Sequence, residues 1–346
     1  MTDQTHSFPW SAGSATGIGS MPGTDPVHAC RVVFDELPDL PHLPELPHRG
    51  PGADMTGRTA ALLVDMPVQT TSRGWQLADH PGRDLSIAAG YWSQDLDVLE
   101  EVADGYTGPL KIQVCGPWTL AATIELSHSV NPALADPGAV ADLTESLAEG
   151  LAAHAADVRR RVPGATLIVQ VDEPSLPAVL AGRVPTPSGL SVVGAVDTAI
   201  ASQRLGTVLS APAAFTVVHC CGRPAPFPEM KAAGASAVSF DLSMLATRDI
   251  DQVAELTEDG LGVFAGALPT ASAERLASGP PLPPRQTAER LVTLWRQTGL
   301  QPGRLAEQVV ITPACGLAGI SPAAARAALQ HCREAARIAP ELIEPS

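Results

Sequence analysis

The stretch FTVVHCCGRPAPFPEMKAAGASAVSFD, residues 215–241, decides the fold. Its two ends, FTVVHC (215–220) and SAVSFD (236–241), are short apolar runs of strand length, and segment 224–233 between them reads as a helix. The same alternation continues outward in both directions. Further strands are expected near 16–20 (TGIGS), 41–46 (PHLPEL), 110–115 (LKIQVC), 166–172 (TLIVQVD), 261–266 (LGVFAG) and 308–312 (QVVIT). Helical patterns fall between them, among them 25–37, 84–104, 138–161, 247–258, 284–299 and 321–338. Eight strands each followed by a helix describe an α/β protein, a (β/α)8 TIM barrel built as a single domain.

The run ALLVDMPVQ (61–69), continued by Thr70 to Trp75, reads as a hairpin inserted after the second strand. Residues 1–346 form one catalytic barrel in this reading, with 1–13 and 341–346 as peripheral tails and 275–286 as a surface loop. A doubly wound open sheet fits less well. GIGSMPG (17–23) lacks the G-x-G-x-x-G spacing and places Pro22 where a helix should begin.

The formal net charge of −15 argues against a nucleic-acid backbone or an anionic membrane as partner. No run of about 18 apolar residues appears, and MTDQTHSFPW lacks a basic and then apolar leader, so a cytoplasmic protein is expected. Six cysteines in 346 residues are too sparse for a disulfide scaffold, which leaves thiols free for metal or catalysis.

His219, Cys221 and Cys315 each stand where an apolar run gives way to a glycine-containing loop, TVVHCCG and VVITPACG. In extended backbone, residues two apart share a side, so His219 and Cys221 can meet one ion while Cys220 points away. One imidazole and two thiolates make a three-ligand zinc site with an open fourth position. The alternative for each is a buried histidine or a small packed thiol, the role expected of Cys30, Cys115 and Cys332. In a barrel, catalytic groups gather at the carboxyl ends of strands. Ser20, Glu45, Asp172, His219, Cys221, Asp241 and Cys315 all occupy such ends. Asp241 is either a fourth ligand or the N-cap of the segment after it. In VQVDEP, Asp172 and Glu173 point to opposite sides, so at most one faces the pocket; it would bind a substrate ammonium or take part in proton transfer.

With IGSMPGT (18–24), PHLPELP (41–47), CGPWTL (115–120), VQVDEPSLP (169–177), HCCG (219–222) and PACGL (313–317), the chain resembles the catalytic domain of cobalamin-independent methionine synthase. That family lies within the barrel superfamily that includes uroporphyrinogen decarboxylase. The likeness runs from Gly17 to about Ala335. It implies zinc held by His219, Cys221 and Cys315, with Asp241 where the family usually has a glutamate ligand. It also implies homocysteine as substrate, its carboxylate at Gly19 and Ser20, its amino group at Asp172 and Glu45. The context of Glu45, L-P-E-L-P, departs from the family's H-G-E-P-type motif. The implied reaction is methyl transfer to the homocysteine thiolate, giving methionine. The donor stays open between a methyl-corrinoid, possibly carried by a partner protein, and methyltetrahydrofolate, since the folate-dependent enzymes carry two barrels and this chain has room for one. Two other readings remain: transfer to a different thiol, and a barrel that binds a ligand without catalysis.

Overall fold

Among the described residues, nine strands run in chain order as β1 (Val68–Thr71), β2 (Gly74–Leu77), β3 (Gly108–Cys115), β4 (Ile124–Glu125), β5 (Ala165–Asp172), β6 (Phe215–His219), β7 (Ala237–Asp241), β8 (Gly262–Leu268) and β9 (Val309–Pro313). They are those of a computed structural model of the chain, which describes residues 8–276 and 282–343. Six of them, in the order β3-β5-β6-β7-β8-β9, form one all-parallel sheet. Helices connect its successive strands, as parallel pairing requires.

Two irregular segments close this sheet into the expected barrel. Ala15 bridges Ile311 of β9, Ser20 bridges Glu45, and His42 bridges Lys111 of β3, all in parallel sense. The bonds are few but well placed: Thr16 N donates to Ile311 O at 3.1 Å, Met21 N to Glu45 O at 2.8 Å, and Leu43 N to Lys111 O at 2.9 Å. Residues 15–20 and 42–45 are therefore the first two barrel strands in position, without a regular ladder. Composition explains this. Pro41, Pro44 and Pro47 have no N–H to donate. Gly17 and Gly19 give up side chains to neighbours: a Cβ at Gly17 would lie 2.3 Å from the His42 ring, and one at Gly19 2.8 Å from Gln113.

The barrel floor is apolar. Ile168, Val217, Ala237, Phe264 and Val310, one from each of β5 to β9, meet Leu40 and Trp10 there. The Trp10 ring stands edge-on to Phe215 at 5.2 Å and to Phe264 at 5.1 Å. Trp10 is 6% exposed, so the peripheral tail expected over residues 1–13 does not include it. An indole this large fills the open end of the cylinder better than solvent can. Two residues further along these strands the interior turns polar, with Gln170, Ser239 and Thr312 fully buried, and the buried Lys111 of β3 reaches Gln170 there.

β1 and β2 pair antiparallel from Val68↔Leu77 to Thr71↔Gly74, the hairpin expected after the second strand, and β4 adds to β2. The last helix, Pro322–Ile343, continues through Pro340, past the point where a tail was expected. The helix Thr198–Ser210 was not singled out from sequence. Of the surface loop expected over 275–286, residues 277–281 lie outside the described residues, and a helix begins at Pro284. Among the described residues no helix is long and apolar enough to cross a membrane.

Candidate metal and substrate site

β5 and β6 end together, with Asp172 and His219 paired in register. Cys221 follows β6 by two residues and Cys315 follows β9 by two. Barrel closure carries these loops to the same face. One ligand atom from each of His219, Cys221 and Cys315 lies within 4.8 Å of the others. The two sulfurs are 3.9 Å apart, too far for a disulfide bond. His219 is 3% exposed, and its Nδ1 is bonded to Ser239 Oγ at 2.9 Å. Among the described residues its buried Nε2 has no hydrogen-bond partner.

This donor set fits a zinc ion. Two sulfurs each about 2.3 Å from a tetrahedral zinc are about 3.8 Å apart, close to the spacing seen. The orphaned His219 Nε2 supplies the nitrogen, and the Ser239 hydroxyl on the other ring nitrogen fixes the ring as a supporting partner does in metal sites. The Cys315 thiol is drawn down, first by the Cys221 thiol bonded to it and then by His219. Cys221, its partner in that bond, is pushed up by the same contact and by burial. A cation held by both sulfurs would take them as thiolates and release their protons.

A cavity of about 310 Å³ opens beside the cluster, large enough for an amino-acid-sized ligand. Gly19, Ser20, Glu45 and Asp172 line it together with His219, Cys221 and Cys315. Seven of the eight residues picked from sequence thus share one cavity. Ser20 reaches it because Gly316 has no side chain; a Cβ there would lie 2.0 Å from Ser20 Oγ. Burial pushes Asp172 up to about 6, opposed by His219 and Lys111. Burial likewise pushes Glu45 up to about 7, with Arg58 the strongest opposing charge. A cationic group entering the cavity would be met by both acids.

Asp241 is the eighth, and it is not brought to the cluster. It ends β7, but its Oδ1 accepts from Ser243 N at 2.8 Å and caps the short turn Leu242–Met244. Among the described residues, the group able to hold a metal contains His219, Cys221 and Cys315 without it. The capping alternative is the one realised, since an aspartate side chain two residues from a free N–H satisfies it locally.

Glu173 does point away from the cavity. Its carboxylate accepts from Trp118 N at 2.9 Å and from Thr119 N and Oγ1 at 2.8 and 2.7 Å. It thereby caps the helix Pro117–Thr123 that follows β3, and Gly116 leaves room for it. The DEP and CGPWT segments are one interlocked unit, a pairing invisible in either segment alone. Cys30, Cys115 and Cys332 are buried, as expected of packing thiols.

Sequence reasoning passed over the polar layer beneath the cavity. Lys111 Nζ donates to Ile18 O (2.8 Å), Gln170 Oε1 (2.9 Å) and Gln113 Oε1 (3.3 Å). Gln170 Nε2 in turn donates to Asp172 Oδ1 at 2.7 Å. The signal was there in KIQVC and IVQVD: polar residues two apart on strands otherwise apolar share the inner face with the site acid.

The family model described as "Cobalamin-independent synthase, Catalytic domain" matches residues 131–338. The chain belongs to this family. The matched span holds Asp172, His219, Cys221 and Cys315, while Ser20 and Glu45 lie outside it and join the site through barrel closure. Two solved structures show how this family member folds. A B12-independent methionine synthase from Shewanella sp. W3-18-1, in complex with selenomethionine, aligns with TM-score 0.60 at 13% identity, over 96% of this chain and 99% of that one. A methyltransferase from Methanosarcina mazei aligns with TM-score 0.56 at 15% identity, over 95% of this chain and 94% of that one. At such identities the likeness is one of fold. Among curated proteins no match was found.

Proposed function

We propose that the protein is a zinc-dependent methyltransferase that methylates the thiol of homocysteine and releases methionine. The observation that carries this reading is a single cavity shared by a two-sulfur, one-nitrogen donor set and two buried carboxylates. Zinc, when bound by His219, Cys221 and Cys315, supplies a Lewis acid that makes a thiol acidic at neutral pH.

The chain's own residues do the rest. Asp172 and Glu45 hold the substrate ammonium, and Ser20 with the Gly19 backbone holds its carboxylate. An amino acid fixed at both groups presents its side-chain sulfur toward the three ligands rather than sampling the cavity. The sulfur gives up its proton to solvent and bonds to the methyl carbon as the donor–methyl bond breaks, the electron pair of that bond staying with the donor. Membership of the cobalamin-independent synthase family supports this chemistry. The methyl donor is a methyl-corrinoid, free or carried by a protein, or methyltetrahydrofolate. The free thiols among the described residues support action in a reducing compartment, the cytoplasm.

The test is zinc-loaded protein with homocysteine, assayed separately with methylcobalamin and methyltetrahydrofolate. Methionine formed from either supports the reading. Methylation of another thiol in preference to homocysteine would replace the acceptor, and bound zinc without transfer to any thiol would leave a ligand-binding barrel.

Asp241 offers a separate check. Asparagine also caps well, so Asp241→Asn should change stability by less than about 1 kcal/mol. Zinc content and methyl transfer should stay at the wild-type level. Loss of zinc in this variant would restore Asp241 to the ligand set.

A further inference from the structure

Of the six cysteines, Cys30, Cys115, Cys220 and Cys332 are buried, Cys221 is half-buried and Cys315 is exposed. A reagent arriving from solvent therefore meets Cys315 first. The thiol bonded to it is that of Cys221, Sγ to Sγ 3.9 Å. A disulfide holds its sulfurs at about 2.05 Å, so this pair has to close by about 2 Å. Neither cysteine belongs to a strand. Cys221 lies two residues past the end of β6 and Cys315 two past the end of β9, so side-chain rotation with a small loop shift closes the gap and leaves every strand pair intact. Cys220 does not compete, since it is 1% exposed and packs into the apolar core.

We propose that Cys221 and Cys315 form a redox switch: a peroxide joins them in a disulfide, and that disulfide and a bound zinc ion exclude each other. This rests on the reading of the cluster as a metal site. The Cys315 sulfur attacks one peroxide oxygen, the O–O bond breaks, and the hydroxide released leaves as water with the thiol proton. Cys221 then attacks the sulfenic sulfur. The S–S bond forms as the S–O bond breaks, and a second water carries off the Cys221 proton. Two thiols lose two electrons and one peroxide gains them. Each sulfur has then given up the thiolate charge that zinc requires, so two of the three ligands go at once and His219 alone does not hold the ion. A dithiol reverses the switch by exchange, taking the disulfide onto itself. Conversely, sulfurs engaged by the ion are not free to attack peroxide.

The experiment treats the reduced protein with hydrogen peroxide at one equivalent, once after stripping metal with a chelator and once loaded with zinc. Free thiols, intact mass, cross-linked peptides and subsequent zinc uptake are read. The stripped protein should lose two of its six thiols and two hydrogens of mass, with one cross-link joining Cys221 to Cys315. It should then take up less than about a tenth of an equivalent of zinc, and regain full uptake after dithiothreitol. Zinc at about ten times its dissociation constant should slow the thiol loss about 10-fold. Cys220→Ser should behave as wild type, while Cys221→Ser should stop at a sulfenic acid on Cys315, trapped by dimedone. A cross-link to another cysteine, a sulfinic acid in place of a cross-link, or unchanged thiols overturns the proposal. Zinc uptake that survives the cross-link overturns it too, as does thiol loss equally fast with zinc bound. A reduced protein that takes up no zinc overturns the metal reading, and the switch with it, whatever the cross-linking shows.

Discussion

Replacing Cys315 by Ser should strip the protein of zinc and abolish methyl transfer while leaving it folded. Cys315 lies at the surface end of the cluster, exposed where His219 is buried, so the change disturbs no packing. A serine hydroxyl is not deprotonated at neutral pH and is a far weaker zinc ligand than a thiolate. Two remaining ligands do not hold the ion through purification. Zinc should drop from about one equivalent to under about a tenth, given that ligand sets of this kind bind by about 10 kcal/mol or more. Elemental analysis of protein purified without chelator reads this, and circular dichroism confirms the fold. Retention of zinc by Cys315→Ser would mean that the ion sits elsewhere.

Asp172→Asn should leave zinc in place and still cost most of the activity. The side chain keeps its size, so Gln170 Nε2 retains a neighbour and the barrel its packing. What goes is the negative charge facing the substrate ammonium in a closed cavity. Truncating one side of a buried, hydrogen-bonded charge pair costs about 2–5 kcal/mol, which is about 30- to 5,000-fold in kcat/KM. The loss should be specific to acceptors bearing an amino group. If Asp172→Asn methylates homocysteine at the wild-type rate, the subsite assignment fails and an acceptor without an ammonium becomes the better reading.

Much of the barrel was legible because its strands are short apolar runs bounded by glycine and proline. The first two were legible in place but not in form. TGIGS and PHLPEL look like strands by position, yet glycines that yield space to His42 and Gln113, and prolines that cannot donate, reduce them to isolated bridges. The cluster of three candidate ligands was legible because His219 and Cys221 are spaced for one side of a strand and Cys315 repeats the cysteine–glycine pair that follows β6. Asp241 was not decidable in the same way, since capping and ligation both ask for an aspartate at a strand end. Only the distance to Ser243 N separates them.

Lys111 and Gln170 were missed for a different reason. A lysine within an apolar run is normally read as a solvent-facing position. Here Lys111 pairs across the strand with Ile168, and the polar groups that satisfy its ammonium come from Ile18, Gln113 and Gln170, residues up to 93 positions distant. Trp10 was assigned to a tail by its terminal position. Its partners, Phe215 and Phe264, lie on strands that only the closed barrel brings beneath it.

X-ray absorption at the zinc edge, on wild-type protein reconstituted with one equivalent of metal, bears most directly on the central claim. Two sulfur neighbours at about 2.3 Å and at least one imidazole nitrogen at about 2.0 Å are predicted. A shell of oxygen and nitrogen alone, or a protein that takes up no zinc, would contradict the account.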